Sequence, residues 1–315
     1  MKFRNRTKLF FTGVLALAVL SACTPAAKHT HAATEWDRDI TSHWQACVCG
    51  EKMGDAAAHT TEGKQCTECG TMIDQFAGKI CLYNFNELED MLRSTEYGSD
   101  GQVLSDDRYA YEYDENNNYV RVEASYNGRL SDIYEYAMSE DGENYIAKLT
   151  NLFPDGSSAV HTYDVDENTT STLNYDADEK LVSETYYEYA IGDNGKSYVS
   201  KVTDSADGFT YITETNFYGD ITHYSEYEGK KLLYDYNYEY TYDAEGRMLS
   251  EKISENGMLV QECHYVIIET DDGFESYAET IIDYFEDGSK IVAKYDENRK
   301  FVEEISYDKD GNIIK

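Results

Sequence analysis

From residue 80 onward the chain alternates aromatic or apolar positions with polar ones. The clearest run is YDYNYEYTYD, Tyr234 to Asp243. Successive side chains on a strand point to opposite faces, so Tyr234, Tyr236, Tyr238, Tyr240 and Tyr242 share one face and Asp235, Asn237, Glu239, Thr241 and Asp243 the other. Tyr109, Tyr111 and Tyr113 repeat the pattern, as do Tyr134 and Tyr136. Between these runs lie YGSDGQVL (97–104), YDENNNYV (113–120), YDADEKLV (175–182), YDAEGRML (242–249), YDENRKFV (295–302) and YDKDGNII (307–314). An aromatic, a turn former, a polar run and two mostly apolar residues read as strand end, turn and strand start. Asp and Asn bond their own backbone in such turns, and Gly accepts positive φ. The segment NELEDMLRS (86–94) also carries helical spacing through Leu88, Met91 and Leu92. The hairpin reading is preferred, because residues 83–92 align with 240–249 without a gap. No other helix is expected.

A longer repeat overlies the short one. Residues 133–150, IYEYAMSEDGENYIAKLT, recur as YYEYAIGDNGKSYVSKVT at 186–203, and a looser copy runs over 237–254. Repetition on this scale implies units that contact only their neighbours. The expected fold is all-β: an elongated array of antiparallel hairpin repeats over residues 80–315, as an open twisted sheet or a β-solenoid-like stack. The motif, best kept at Tyr240 to Leu249, resembles the YD-repeat of bacterial Rhs-type surface and toxin proteins, although several copies lack the Gly and the Arg. In large members of that family the repeats wind into a closed shell around a toxin. This chain has too few repeats for a shell and no further C-terminal domain, so an open, elongated sheet is the expectation.

Thirty tyrosines with only two prolines set this chain apart from acidic disordered ones, which are poor in aromatics. The formal charge of −34 repels nucleic acid and anionic lipid surfaces and favours cations or basic partners. Tyr packs in cross-strand pairs while its hydroxyl tolerates water, which suits a half-covered sheet. The aromatic face is therefore packing at most positions. Part of it is a candidate platform for a glycan or peptide, with Tyr234, Tyr236, Tyr238, Tyr240 and Tyr242 as the candidate residues.

The N-terminus carries Lys2, Arg4, Arg6 and Lys8, then the apolar run Leu9 to Leu20, then Leu20-Ser21-Ala22-Cys23. The run is short for a permanent membrane helix and suits the apolar region of an export signal. Its end resembles the lipobox of bacterial lipoproteins. By that resemblance residues 1–22 are a signal peptide, Cys23 carries the lipid, and the chain is extracytoplasmic and anchored to the cell membrane. Residues 23–42 are expected to be a flexible tether, with His29 and His31 as linker residues.

Residues 43–79 form a further module. Cys47-Val48-Cys49-Gly50, His59 and Cys66-Thr67-Glu68-Cys69-Gly70 fall in a window too short and polar to bury a core. Two close thiol pairs, each followed by Gly, suit a metal held at tight turns, which would supply the folding energy. The window resembles small zinc-ribbon-like modules, but its first pair is C-x-C. The preferred zinc ligands are Cys49, His59, Cys66 and Cys69, with Cys47 as competitor and His43 as a sixth candidate. Disulfides between the pairs are the alternative in an exported chain. Cys81 and Cys263 are expected to be single buried thiols, with a bridge between them left open.

No nucleophile elbow, P-loop, dinucleotide fingerprint or H-E-x-x-H occurs. Asp308 to Asn312 and Asp114 to Asn118 imitate calcium loops but lack their later ligands, and read as turns. Repetition works against a catalytic site, which needs one locally unique constellation. The expectation is a monomeric, non-enzymatic, lipid-anchored surface protein that binds a glycan, a peptide or a neighbouring cell. The alternatives are an extracytoplasmic enzyme or accessory acting on carbohydrate, or a fragment of a toxin-delivery system.

Overall fold

The alternation around Tyr234–Tyr242 is realised in the computed structural model as a single strand, Lys231–Tyr242. The structure describes residues 31–33, 35–47, 49–270 and 273–314. The signal segment and Cys23 lie outside them. The described residues contain strands and turns and no helix. They fall into two compact units, one ending at Asp74 and one beginning at Gln75.

In the first unit β1 (Glu35–Arg38), β2 (Ser42–Ala46) and β3 (Lys52–Ala58) make a three-stranded antiparallel sheet in that order. Asp39 closes the β1–β2 turn: its Oδ1 accepts the Thr41 and Ser42 N–H groups at 2.8 and 2.7 Å. Burial raises the Asp39 carboxyl, but these donors outweigh it and hold the group below its ordinary range. Short strands β4 (Thr61–Glu62) and β5 (Gln65–Cys66) form a hairpin, and β5 pairs with β6 (Met72–Phe76) through Gln65 and Met72. The tether expected to reach residue 42 is thus strand from Glu35. Arg38 and His43, which pair across β1 and β2, are both buried, and a reading by polarity alone assigns such residues to a linker. The buried set of this unit is Arg38, His43, Ala46, Cys47, Cys66, Cys69 and Thr71. Among the described residues only Ala46 of this set is a hydrocarbon side chain, so full burial of apolar side chains contributes little to this unit's folding energy.

In the second unit the strands from Lys79–Phe85 to Phe301–Tyr307 form an antiparallel meander, each paired with its sequence neighbours. The meander is open, without closure between its first and last strands. Alternate connections therefore lie at the same end. The stretch over 86–94, ambiguous by its spacing, is the turn at Asn86–Asp90 followed by strand Met91–Tyr97. The turn at Asp243–Arg247 shows the repeat's local logic. Asp243 Oδ1 accepts the N–H groups of Glu245 and Arg247 at 3.0 and 2.9 Å, and the Gly246 N–H donates to the Asp243 carbonyl. The fourth residue of the turn has positive φ: Gly246 at 79°, but also Glu179 at 60° and Arg299 at 61° in degenerate copies. Turn geometry thus persists where the glycine does not. The long repeat keeps its irregularities as well. A register shift falls between Glu135 and Tyr136 and again between Glu188 and Tyr189, at matching positions of the two copies.

Few side chains in the meander are fully covered. Leu82, Tyr97, Val122, Ala124, Ala159 and Cys263 are its buried apolar residues, joined by Thr95, Ser131, Ser171 and Ser225. Ring neighbours along and across strands supply much of the remaining contact. Tyr234 stacks on Tyr236 at 6.3 Å, and Tyr111 stacks on Tyr113 at 6.0 Å. The apolar pairs that open strands after the turns are not core: Val103 with Leu104, Leu181 with Val182 and Phe301 with Val302 are all exposed.

Candidate metal centre

His43 sits on β2, His59 follows β3, Cys66 ends β5, and Cys69 lies in the turn between β5 and β6. One ligand atom from each lies within 4.8 Å of every other. Cys66 Sγ is 3.8 Å from His43 Nδ1, and Cys69 Sγ is 3.7 Å from His59 Nδ1. Tetrahedral zinc, with bonds of about 2.3 Å to sulfur and 2.0–2.1 Å to nitrogen, places its S and N donors about 3.6 Å apart. The four side chains therefore stand close to the spacing such an ion demands.

The backbone explains how two thiols come to face one point. The Cys66 N–H donates to the Thr71 carbonyl and the Gly70 N–H to the Cys66 carbonyl, a tight loop that needs Gly70 at φ 70°. Burial pushes the Cys66 thiol up. The backbone N–H groups of Cys69 and Glu68, with His59 and the Cys69 thiol, outweigh it and bring the group down to about 6. Cys69 moves up, through burial and through the neighbouring Cys66 sulfur. His59 is oriented by its far nitrogen, Nε2, which lies 3.0 Å from the Asp39 carbonyl and so turns Nδ1 toward the sulfur. The His43 ring is held edge-on by Trp36 at 4.9 Å. Thr71, fully buried, places Oγ1 3.2 Å from Cys69 Sγ.

Of the residues singled out by sequence, His59, Cys66 and Cys69 come together, and His43 completes their group. Cys47 and Cys49 form a separate group with His31. All six described cysteines are thiols. Cys263 is buried and Cys81 half-buried, and no bridge joins them. The composition signal could not separate six candidates, because which histidine faces Cys66 depends on β2–β3 pairing that brings Ser42 opposite Ala58.

The tyrosine face divides in two. Tyr240 donates its hydroxyl to the Ile221 carbonyl at 2.7 Å, and Tyr242 donates to Asp220 Oδ2 at 2.7 Å. Tyr111 and Tyr189 make the same backbone contact as Tyr240, to Met91 and Thr169. Tyr113 and Tyr119 both donate to Asp90. These rings latch a strand end to the preceding turn at the same end of the sheet. Tyr236, Tyr238, Tyr240 and Tyr242 are half-buried, and Tyr234, 46% exposed, is the open member of the row.

No protein-family model matches this chain, and neither does any curated protein. Among solved structures it is similar to TcdB2-TccC3, at 12% identity and a TM-score of 0.28 over 88% of this chain and 16% of that one. A porin-like protein from Bacteroides uniformis is similar at 8% identity and a TM-score of 0.24, over 75% of this chain and 92% of that one. The chain spans about one sixth of the TcdB2-TccC3 chain it matches. Similarity this distant bears on neither ligand nor activity.

Proposed function

We propose that this is a non-enzymatic, extracytoplasmic binding protein, anchored by lipid on Cys23, with a zinc-stabilised base and a β-repeat that meets its ligand. The zinc is structural, held by His43, His59, Cys66 and Cys69. Four donors leave no open coordination position, which is the mark of a structural rather than a catalytic ion. Two thiolates cancel the charge of Zn²⁺, and the ion replaces the apolar core that the first unit lacks.

The observation that carries the binding reading is the exposed apolar surface of the meander. Val103, Leu104, Leu181, Val182, Tyr234, Phe301 and Val302 are all exposed, on a sheet rich in carboxylates. Open apolar pairs recur where strands leave their turns, and rings flanked by carboxylates suit sugars or basic peptides. The carboxylates of Asp90, Asp220 and Asp243 are engaged in latches and turns, which supports a non-catalytic reading. The test is a glycan and peptide array probed with the full chain, alongside a Tyr234→Ala variant. Specific binding that weakens in the variant is the expected result. Turnover of an arrayed carbohydrate, or silence on both arrays, overturns the proposal. For the anchor, Cys23→Ala is expected to release the protein from the membrane fraction, and unchanged retention removes the lipid from the account.

A further inference from the structure

The four donors around Cys66 are the number a tetrahedral ion takes, without Cys47 and Cys49, and a closed site has no place for a fifth ligand. The C-x-C thiols nevertheless do not stand apart. Cys47, Cys49 and His31 each offer a ligand atom within 4.8 Å of the others. Cys49 Sγ is 3.4 Å from His31 Nδ1, again close to the S–N spacing of about 3.6 Å around a tetrahedral ion.

The backbone prepares this arrangement. Between β2 and β3 the strand pairing gives way to a loop. Within it the Cys47 N–H donates to the Glu51 carbonyl at 2.9 Å and the Gly50 N–H to the Cys47 carbonyl at 2.7 Å. Gly50 adopts φ 83°, a region that favours glycine. Cys47 is buried, while Cys49 and His31 are exposed, so the trio is rooted on one side and open to solvent on the other. The Glu51 carboxylate stands beside it, 3.0 Å from the same His31 Nδ1.

We propose that His31, Cys47 and Cys49 form a second metal site, open where the first is closed, that takes an exchangeable thiophilic d¹⁰ ion, Zn²⁺ or Cu⁺. Two thiolates and an imidazole are a soft donor set, which selects these ions over calcium or magnesium. Three protein ligands leave a coordination position free, so the ion is accessible to solvent and exchange. The Glu51 oxygen is a hard donor. It is available to Zn²⁺ as a fourth ligand and contributes little to Cu⁺, which separates the two ions by experiment. The second site rests on the closure of the first centre, and the two centres are read separately in the test.

The experiment is metal titration of the reduced, metal-stripped full chain, with Zn²⁺ against a chromophoric chelator and with Cu⁺ against a cuprous-selective one. The wild type is expected to bind two zinc equivalents of different affinity. His31→Ala/Cys49→Ser, two exposed changes, loses the weaker equivalent and keeps the tighter. His59→Ala loses the tighter, and the weaker falls with it to the extent that residues 31–74 open without the first ion, so the double variant is the change that reads the second site by itself. Glu51→Gln is expected to weaken the second site for Zn²⁺ by about tenfold and to leave its Cu⁺ affinity unchanged; equal responses of the two ions remove Glu51 from the zinc ligands. Alkylation supplies an independent reading, since saturating metal must protect Cys49 in the wild type. Equal stoichiometry in the wild type and His31→Ala/Cys49→Ser for both ions, or unprotected Cys49 at saturation, overturns the second site. A single wild-type equivalent that survives His59→Ala and vanishes in the double variant upholds the second site and sinks the first.

Discussion

The Tyr242 hydroxyl donates to the Asp220 carboxylate at 2.7 Å, and far upstream Tyr113 donates to Asp90 at the same distance. Both aspartates close a turn that begins with an asparagine, Asn216 in one case and Asn86 in the other, and each asparagine also bonds the tyrosine hydroxyl. The recurrence gives the tyrosine before these two turns a mechanical role, because it ties the strand end to the turn before it. Tyr242→Phe is expected to destabilise the meander by about 1.5–3 kcal/mol, the range for a hydrogen bond to a charged group. Tyr234→Phe, on an open ring, should stay within about 0.5 kcal/mol of wild type. Urea unfolding followed by tyrosine fluorescence measures both, and equal effects would remove the latch from the account.

The same latch makes stability depend on pH at both extremes. The Tyr119 and Tyr113 hydroxyls hold the Asp90 carboxyl below its ordinary value. A group with a depressed folded pKa contributes stability that is complete above its unfolded value, about 4, and is lost as pH falls through the folded one. Burial and the Asp90 carboxylate push Tyr113 up to about 12, and the Asp90 contact with burial does the same for Tyr119. Their contribution is present below the unfolded tyrosine value of about 10 and is lost as pH rises toward 12. Thermal melts of wild type and Asp90→Asn across pH 3–12 are expected to differ most at neutral pH and to draw together as pH falls from about 4 toward the folded Asp90 value and as it rises from about 10 toward 12. A difference independent of pH would place the effect elsewhere.

The degenerate turns offer stabilisation at single positions. Glu179 and Arg299 hold positive φ without being glycine, at a cost of about 1–2 kcal/mol. Glycine there gives back about 0.5–1 kcal/mol in unfolded-chain entropy. Glu179→Gly and Arg299→Gly should each therefore stabilise by about 0.5–1 kcal/mol. Gly246→Ala should do the opposite by at least about 1 kcal/mol. Its φ is 79°, and an added Cβ would come within 2.7 Å of the Tyr218 ring, which is itself packed on Tyr242 at 4.3 Å. Melting temperatures decide the signs, and a stabilising Gly246→Ala would contradict the turn geometry.

Metal removal should act on the first unit alone. Chelation, or His59→Ala, is expected to open residues 31–74 to protease while the meander from Gln75 keeps its far-ultraviolet β signal. Protease resistance unchanged by chelation would show that the thiols and histidines stabilise this unit without an ion.

Strand content, the one-sided tyrosine rows and the acidic turns were legible in the residues, because alternation at a period of two and Asp, Asn and Gly in turns act over a few neighbours. Asn127-Gly128, Asp207-Gly208 and Asn256-Gly257, where both residues of the tight turn take positive φ, carry the same kind of local signal outside the aromatic-first motif. What only the tertiary structure decided is what distant segments share. Sequence supplied six metal-ligand candidates; folding β2 against β3 chose His43 for Cys66, and the chain before β1 brought His31, read as linker, beside Cys49. Which tyrosines are latches and which remain open likewise depends on the turn across the neighbouring strand. Local pattern sets the element, but a ligand set or a latch is a meeting of residues far apart in the chain, and only strand pairing fixes those distances.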